Sequence, residues 1–324
     1  MNVFEKFLKV NTGLMAFNEF STKDQSIRYI NWWAINDPEN VWFSSYVRSN
    51  IRTDKTINFY SVFGNANYVK RRAQRERDDV NIFFTGENVS STGISKNFRG
   101  YKDHMGSAVD ISLGFDHDQH NPRYMRFPLW LMYVFSPDST YEDIQNRVEA
   151  LNNKAVNIDE RYIDCAAIAR HDTTGHRTRI CDALSDLFDI RYEGRWRNNS
   201  SLMKEQYKDN KLDYLAHVKF NICPENSNHA GYVTEKIFEA FLARAIPIYW
   251  GGAAAPEPNI INENAFVYWD GSDHCFETLE RLHKNKKEYL DFVSQPIFKE
   301  GADEIIWQFF VDLKERIQRV IDSK

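Results

Sequence analysis

The sequence predicts an α/β fold of two domains, each built on a parallel sheet. Its 324 residues suffice for two domains of ordinary size, and 42% hydrophobic with 15% aromatic residues can fill two cores. The decisive stretch is Val218 to Gly252, where an apolar run, a polar turn, an amphipathic helix and a second apolar run follow one another. Such a strand, loop, helix and strand unit is typical of parallel sheets.

Apolar runs bounded by polar residues or glycine predict three strands in the first half of the chain: Ser26 to Ile35, Thr56 to Phe63 and Val80 to Phe84. A helix is predicted over Val41 to Ser49. Trp32 and Trp33 could fill the core or stack on a sugar ring, and the core is favoured. The mixed charge run Lys70 to Asp79 indicates a solvated helix face or loop.

The second half of the chain repeats the alternation of strands and helices. A helix over Tyr141 to Leu151 and a polar stretch from Asn152 to Asp159 predict a domain end and a linker. The following runs predict strands at Ile163 to Ala169, Asp189 to Tyr192 and Ala265 to Trp269, and helices at His176 to Leu187 and Glu277 to Phe292. The expected division is 1–153, 154–300, and an amphipathic helix in 301–324 that packs back across both domains.

Composition excludes several classes of protein. Lys and Arg number 41 against 46 Asp and Glu, a formal charge of −5, so no basic balance favours nucleic acid or an anionic membrane. No run approaches the roughly 18 apolar residues of a membrane span, and the start lacks a signal-peptide core. The four cysteines are widely spaced, which indicates buried free thiols rather than a zinc site. We therefore expect a cytoplasmic protein, although a trimmed anchor would leave the same sequence.

The polar turn after Cys223 and the helix that follows it predict an anion site. Glu225 and Asn226 lie in the turn, beyond the carboxyl end of a strand, where open α/β sheets bind ligands. Thr234 is a plausible N-cap, and the free N–H groups of a helix start suit a phosphate. Lys236 in the first turn favours this interpretation, since the helix dipole prefers an acid there. Spacing alone would equally allow a solvated helix turn.

A second candidate site follows the predicted strand Val80 to Phe84, which runs directly into Thr85-Gly86-Glu87-Asn88. The glycine permits a tight turn that would leave Glu87 at the carboxyl end of its sheet. A sugar transfer with inversion needs one carboxylate that takes the proton of the acceptor hydroxyl, and glutamate is suited to it. By itself, a turn glutamate is more often structural.

Four motifs together resemble one family. KFNICPEN, GYVTEKIFEAFLARAIPIYWGG, FFTGEN and the stretch VDISLGFDHDQHNPRYMRFPLWL occur in the order found in the α-1,3-fucosyltransferase family, glycosyltransferase family ten. The chain looks like a bacterial-type soluble member of it. The resemblance implies the GT-B fold, in which an acceptor domain precedes a nucleotide-sugar domain and two Rossmann-like domains face each other across a cleft.

The resemblance also implies an activity and its partners. The expected reaction is the inverting α-1,3 transfer of L-fucose from GDP-fucose to the 3-hydroxyl of N-acetylglucosamine or glucose in a galactose-capped glycan. Two alternatives stay open: a GT-B enzyme that uses another nucleotide sugar, and a non-catalytic glycan-binding relative. The sequence predicts no nucleic-acid partner and no evident membrane association, and it leaves the oligomeric state undetermined.

The family motifs assign roles to individual residues. Glu87 matches the proposed general base, and this match reverses the structural interpretation of that glutamate. Arg197, with Arg195 in reserve, matches an arginine that holds the donor diphosphate together with Lys236, since a guanidinium forms two parallel hydrogen bonds. The remaining expected donor-binding residues are Glu225, Asn226, Tyr232 and Glu235.

A metal site is not expected. Asp116-His117-Asp118 has the DxD pattern that holds a divalent cation in metal-dependent glycosyltransferases. The resembling family does not hold its donor in this way, so the prediction is no cofactor and no essential metal. His117 and His120 have a spacing that could ligate a metal, but scattered loop histidines are more often surface residues.

Overall fold

The computed structural model describes residues 3–89, 96–117 and 121–324. Contacts between Cα atoms divide the chain into two compact units. The first comprises Met1–Thr140 with Ile306–Lys324, and the second is Tyr141–Ile305.

The first unit contains a six-stranded sheet in which the strands are ordered as they follow in the chain. Strand β1 pairs antiparallel with β2, and β2 to β6 are parallel neighbours. The strands are β1 (Glu19–Ser21), β2 (Ile27–Ile30), β3 (Ile57–Tyr60), β4 (Val80–Phe84), β5 (Ile111–Gly114) and β6 (Tyr124–Arg126). Its helices are α1 (Val3–Asn11), α2 (Trp42–Asn50), α3 (Ala66–Arg75) and α4 (Leu131–Val134), with 3-10 turns at Pro38–Asn40 and Lys96–Tyr101.

Aromatic rings fill the core of the first unit. All residues of β3, β4 and β5 are buried, as expected for parallel strands covered on both faces. Phe43 of α2 stacks on Phe59 of β3 at 4.8 Å between ring centroids and contacts Phe84 of β4 edge-on at 5.1 Å. Trp32 is buried against the same rings, which confirms its predicted place in the core.

The second unit contains a five-stranded parallel sheet of the order β11-β10-β9-β7-β8. The strands are β7 (Ile163–Ala169), β8 (Ile190–Gly194), β9 (Val218–Ile222), β10 (Ile246–Tyr249) and β11 (Val267–Tyr268). Its helices are α5 (Tyr141–Asn152), α6 (His176–Leu184), α7 (Leu202–Tyr207), α8 (Lys211–Leu215), α9 (Glu235–Ala243), α10 (Asp273–Lys284) and α11 (Lys286–Val293), with 3-10 turns at Ile158–Glu160, Gly252–Ala254 and Glu263–Ala265. The order reverses between β7 and β9, which creates a topological switch point.

The long helix predicted over Glu277 to Phe292 is wrong in one respect, because the chain forms two helices there. Asn285 separates α10 from α11 with extended backbone angles, φ −114° and ψ 103°. Its side-chain oxygen accepts hydrogen bonds from the backbone N–H groups of Lys287 and Glu288. Asn285 therefore caps a new helix and ends the apolar periodicity in two pieces.

The last helix, α12 (Ala302–Ser323), contributes residues to both units. At its start, the Tyr141 hydroxyl donates to Asp303 within the second unit. Further along, the Tyr46 hydroxyl donates to the carbonyl of Phe310 at 2.6 Å within the first unit. Its buried residues recur at helical spacing: Ile306, Phe310, Leu313 and Ile317.

Asn152 holds the end of α5 to the second unit. Its side-chain oxygen accepts from the N–H groups of Ile297 and Phe298 at 2.9 and 2.8 Å, and its amide donates to the Phe298 carbonyl. Arg244 donates to the carbonyls of Asn152 and Lys154. The sequence analysis put a domain limit at residue 153, whereas the contact division assigns α5 to the second unit because of these bonds.

Replacing Asn152 by alanine should lower the free energy of unfolding by about 2 kcal/mol, because two buried N–H groups lose their acceptor. Urea denaturation measures the loss. Asn153→Ala is the matched control, since Asn153 is the exposed neighbour and its side chain contributes nothing to this cluster. Equal stability of the two variants would contradict the clamp.

Candidate active site

The polar residues of the second unit gather where its strand order reverses. The loops after β7 and β9 leave the sheet at this switch point, and a pocket lies between them. Its lining combines strand ends with two cations, Arg177 from the first turn of α6 and Lys236 from the first turn of α9. Trp196, which follows β8, closes one side. The arrangement can accept an anion that also presents a flat apolar face.

Glu225 is the centre of the hydrogen-bond network at this pocket. Its side chain is 0% exposed, and it accepts from the Thr234 N–H at 2.8 Å and from the Thr234 hydroxyl at 2.8 and 3.0 Å. The Lys236 ammonium lies 3.0 Å from the other carboxylate oxygen and 2.7 Å from the Thr234 hydroxyl. Thr234 is the residue before α9, as predicted, but its hydroxyl bonds Glu225 instead of capping the helix.

The charges of the pocket sustain one another. Burial lowers the pKa of the Lys236 ammonium, but the Glu225 and Glu235 carboxylates raise that pKa by more, to well above its usual value. Burial raises the pKa of Glu235, but Lys236 and the N–H at the helix start lower it by more. Lys236 is therefore a cation and Glu235 an anion throughout the physiological pH range.

Gly251 makes room for Glu225. Its φ of +145° is rarely adopted by residues with a Cβ, and a Cβ there would lie 2.7 Å from Cγ of Glu225. The N–H of Glu225 also donates to the carbonyl of Trp250 at 2.8 Å. The glycine at the end of the β10 segment thus fixes the backbone against the buried carboxylate.

Arg177 is a site residue that the sequence analysis missed. One guanidinium nitrogen donates to Oδ1 of Asn226 at 2.8 Å, and another donates to the carbonyl of His171 at 3.0 Å. The side chain thereby links the loops after β7 and β9. Its position one residue into the first helix after a strand was the available signal, because that helix starts at the same sheet edge as α9.

Arg197 was predicted as a diphosphate ligand, and the structure places it against α6. Its guanidinium forms a two-pronged ion pair with Asp182 and lies over the Trp196 ring, 5.1 Å from the centroid. Arg195, the reserve candidate, is exposed in the same turn. The predicted role of Arg197 stays a prediction, and of these arginines it is Arg177 that bonds a pocket loop.

The remaining predicted donor residues lie in the same loop and helix start. Asn226 accepts from Arg177, and Glu235 approaches the Lys236 ammonium at 3.5 Å. Tyr232 is fully buried. The structure thus brings together Glu225, Asn226, Glu235 and Lys236, with Tyr232 in the same loop.

Glu87 belongs to the first unit and follows β4 as predicted. The Thr85 hydroxyl accepts from the Glu87 N–H at 3.0 Å and donates to the Glu87 carbonyl at 2.9 Å, so a tight turn holds the residue. A Cβ on Gly86 would lie 2.9 Å from Leu129, which explains a glycine here. The Glu87 side chain is half-buried at the carboxyl end of β4.

The DxD pattern divides between a buried and an uncharacterised part. Asp116 is buried, with its carboxylate 2.8 Å from Nε2 of the buried His104, so it serves the interior of the first unit. Asp118 and His120 lie outside the described residues, and His117 is exposed. Over 3–89, 96–117 and 121–324, no cluster of three His, Cys, Asp or Glu side chains could hold a metal ion. The four cysteines are buried free thiols, as expected.

Two family models match the chain and together cover more than half of it. The model described as "Glycosyltransferase family 10 (fucosyltransferase) C-term" matches residues 160–295, and "Alpha-(1,3)-fucosyltransferase FucT N-terminal domain" matches residues 15–133. The chain belongs to the family 10 fucosyltransferases. The predicted membership in a glycosyltransferase family is thereby confirmed, and the pocket at the β7/β9 switch point lies within the matched C-terminal region.

Individual relatives agree with this family. The chain is 27% identical over 300 residues to the alpha-(1,3)-fucosyltransferase FucT of Helicobacter pylori, an alignment that covers 82% of this chain and 59% of that protein. It is 30% identical over 132 residues to 4-galactosyl-N-acetylglucosaminide 3-alpha-L-fucosyltransferase 9 of Homo sapiens, covering 40% of this chain and 35% of that protein. The chain thus spans less than two thirds of the length of these relatives.

Solved structures show the same fold as this family member. A crystal structure of an alpha1,3-fucosyltransferase superposes with a TM-score of 0.57 at 22% identity, covering 89% of each chain. The structure described as containing GDP-fucose gives 0.54 over the same shares. The predicted α/β fold of the GT-B class is confirmed. In the described part of the chain, every helix is too short or too polar to cross a membrane.

Replacing Gly251 by alanine should lower the free energy of unfolding by about 3 kcal/mol, because strain at positive φ adds to a clash with Glu225. Gly271→Ala is the control, since Gly271 also has positive φ, 74°, but open space around its missing Cβ. The control should lose only about 1 kcal/mol in urea denaturation. Equal losses would show that Glu225 does not require the glycine.

Proposed function

We propose that this family 10 member is an inverting α-1,3-fucosyltransferase that uses GDP-fucose. The observation that carries the proposal is the Glu225, Lys236 and Arg177 arrangement at the switch point of a sheet whose sequence matches the fucosyltransferase C-terminal model. A diphosphate is the anion of such a donor, and the pocket offers it an ammonium, a guanidinium and a helix start.

The diphosphate would be held by three kinds of donor. The first N–H groups of α9 point into the switch-point crevice, and Lys236 adds a full positive charge whose direction is fixed by Glu225. Arg177 adds a planar fork beside Asn226. Groups of this kind stabilise the leaving diphosphate most when its negative charge develops, and each can contribute about 3 kcal/mol to the barrier.

The sugar and ribose would be recognised by the acids of the site. Glu235 is ionised and partly accessible at the helix start, so it can accept hydrogen bonds from ribose or fucose hydroxyls. Asn226 and the buried Tyr232 shape the donor pocket in this proposal. Glu225 is engaged with Thr234 and Lys236, so its part is to orient the ammonium.

The chemical step is a single displacement at the anomeric carbon of fucose. The oxygen of the acceptor 3-hydroxyl forms the new bond as the bond from that carbon to the β-phosphate oxygen breaks, and the bonding pair leaves with GDP. The hydroxyl proton passes to the carboxylate of Glu87, which acts as general base. One displacement inverts the anomeric configuration.

The acceptor of the proposal is a galactose-capped glycan of the N-acetyllactosamine or lactose type. Lys236 and Arg177 supply the charge that a divalent cation supplies in other glycosyltransferases, so we propose that the reaction needs no metal. GDP-fucose is then a substrate, and no cofactor takes part.

Replacing Glu87 by glutamine should lower kcat for GDP release from GDP-fucose with N-acetyllactosamine or lactose at least about 100-fold, because the acceptor proton loses its base. The affinity for GDP should stay unchanged. Glu142→Gln removes one exposed carboxylate elsewhere and should keep full activity. Full activity of Glu87→Gln would remove Glu87 from the reaction.

The same assay separates the alternatives. Acceptor-dependent release that persists in EDTA supports the metal-free reaction, whereas loss in EDTA would return attention to the segment around Asp116. Preference for another nucleotide sugar would overturn the fucose assignment. Binding of GDP without turnover of any donor would indicate a non-catalytic glycan-binding relative.

Two arginine variants test which guanidinium binds the diphosphate. Arg177→Met should raise the Kd for GDP at least about tenfold, because a charged hydrogen-bond donor is lost. Arg197→Met should change it less than about twofold, since that side chain already pairs with the exposed Asp182. Lys287→Met, an exposed lysine, serves as the charge control in calorimetric titration. The reverse order of the two arginine variants would support Arg197 as the ligand.

A further inference from the structure

We infer that an aromatic groove in the first unit binds the sugars of the acceptor that lie beyond the fucosylated residue. The groove has a volume of about 560 Å³ and is lined by α1, the segment that follows it, and the turns after β3 and before residue 101. Pockets for small ligands have volumes of roughly 300 to 1,000 Å³. The inference rests on the proposed function for the identity of the acceptor.

The groove lies at the sheet edge that carries Glu87. Strands β3 and β4 are parallel neighbours, so the turns after them leave the sheet at the same edge. Phe63 follows β3 and lines the groove, and its ring lies 5.1 Å from the half-buried Trp33. The Trp33 ring lies 5.8 Å from that of Phe84, the last residue of β4 before the Thr85–Glu87 turn. A continuous row of rings thus connects the groove with the proposed base.

The lining of the groove has the chemistry of a saccharide site. Four phenylalanines line it, and two of them, Phe7 and Phe17, are 64% and 50% exposed. Large aromatic side chains seldom stay exposed together on a soluble surface without a ligand or partner. The hydrocarbon faces of sugar rings can stack on such rings, while their hydroxyls need polar partners.

Amide side chains provide these polar partners, and the ligand should be neutral. Asn11, Asn65 and Asn67 line the groove, and no charged side chain is among its described lining residues. Asn65 caps α3 and donates to the Asn11 carbonyl. Asn67 has an exposed side chain that bonds none of the described residues, so both its donor and acceptor are available. An anion would find no cation here, and a lipid chain would leave the amides unpaired.

Steady-state kinetics with a short and a long acceptor test the groove. We compare N-acetyllactosamine with its linear dimer, a tetrasaccharide, as acceptors for GDP-fucose. The unmodified protein should show a KM about fivefold lower for the tetrasaccharide. Phe17→Ala and Asn67→Ala should abolish that advantage and leave the KM for N-acetyllactosamine unchanged. Leu14→Ala is the control, since Leu14 is 70% exposed in the same segment but does not line the groove.

Binding of the tetrasaccharide in the presence of GDP, measured by saturation-transfer NMR, decides the matter independently of turnover. Loss of the signal in Phe17→Ala but not in Leu14→Ala supports the groove even if the acceptor of the reaction is another glycan. Equal KM values for both acceptors, together with unchanged binding in Phe17→Ala, would overturn it. A gain from an octyl aglycone instead of from added sugars would identify an apolar ligand and also overturn the inference. Loss of all turnover with intact tetrasaccharide binding would count against the proposed reaction and not against the groove.

Discussion

The buried carboxylate of Glu225 is the constraint on which the donor region of this chain depends. A buried charge is costly unless it is paired and hydrogen-bonded, and Glu225 obtains its partners from the N–H and hydroxyl of Thr234 and from Lys236. These partners fix where α9 begins and where its lysine points. The carboxylate also excludes any side chain at residue 251, so the end of β10 must be glycine. One acid thereby sets the backbone on both sides of the pocket.

The charge balance of the pocket explains why more than one cation is present. Lys236 faces two carboxylates, Glu225 and Glu235, so this triad alone carries a net negative charge and would repel a phosphate. Arg177 neutralises the excess, and it bonds only neutral oxygens of the loops around it within the described part of the chain. The α9 start adds partial positive charge. The carboxylates hold Lys236 charged and in place, and Arg177 with the helix makes the site attractive to an anion.

The sequence was most informative where residues that act together lie close in the chain. The limits of β4 and β7 agree with the predicted strands because each is an uninterrupted apolar run. Glu225 and Lys236 were found because one turn and one helix start carry both. Arg177 could not be found in this way: it reaches Asn226 only because the strand order reverses between β7 and β9, and periodicity does not reveal strand order. Likewise, Asn152 and Asn285 look like linker residues, and only their hydrogen bonds make one a clamp and the other a cap.

The two sheets provide binding edges of different kinds. Reversal of strand order opens a crevice at the β7/β9 edge, so the backbone itself prepares that site. In the first unit the described strands follow the chain order, and no reversal occurs to open a crevice. A ligand at that edge must be bound by side chains on the turns beyond the strands. The exposed aromatic and amide residues after β3 and around α1 are of this kind, and the Thr85 turn presents Glu87 in the same manner. Specificity for the acceptor should therefore depend on turn residues, and donor binding on topology.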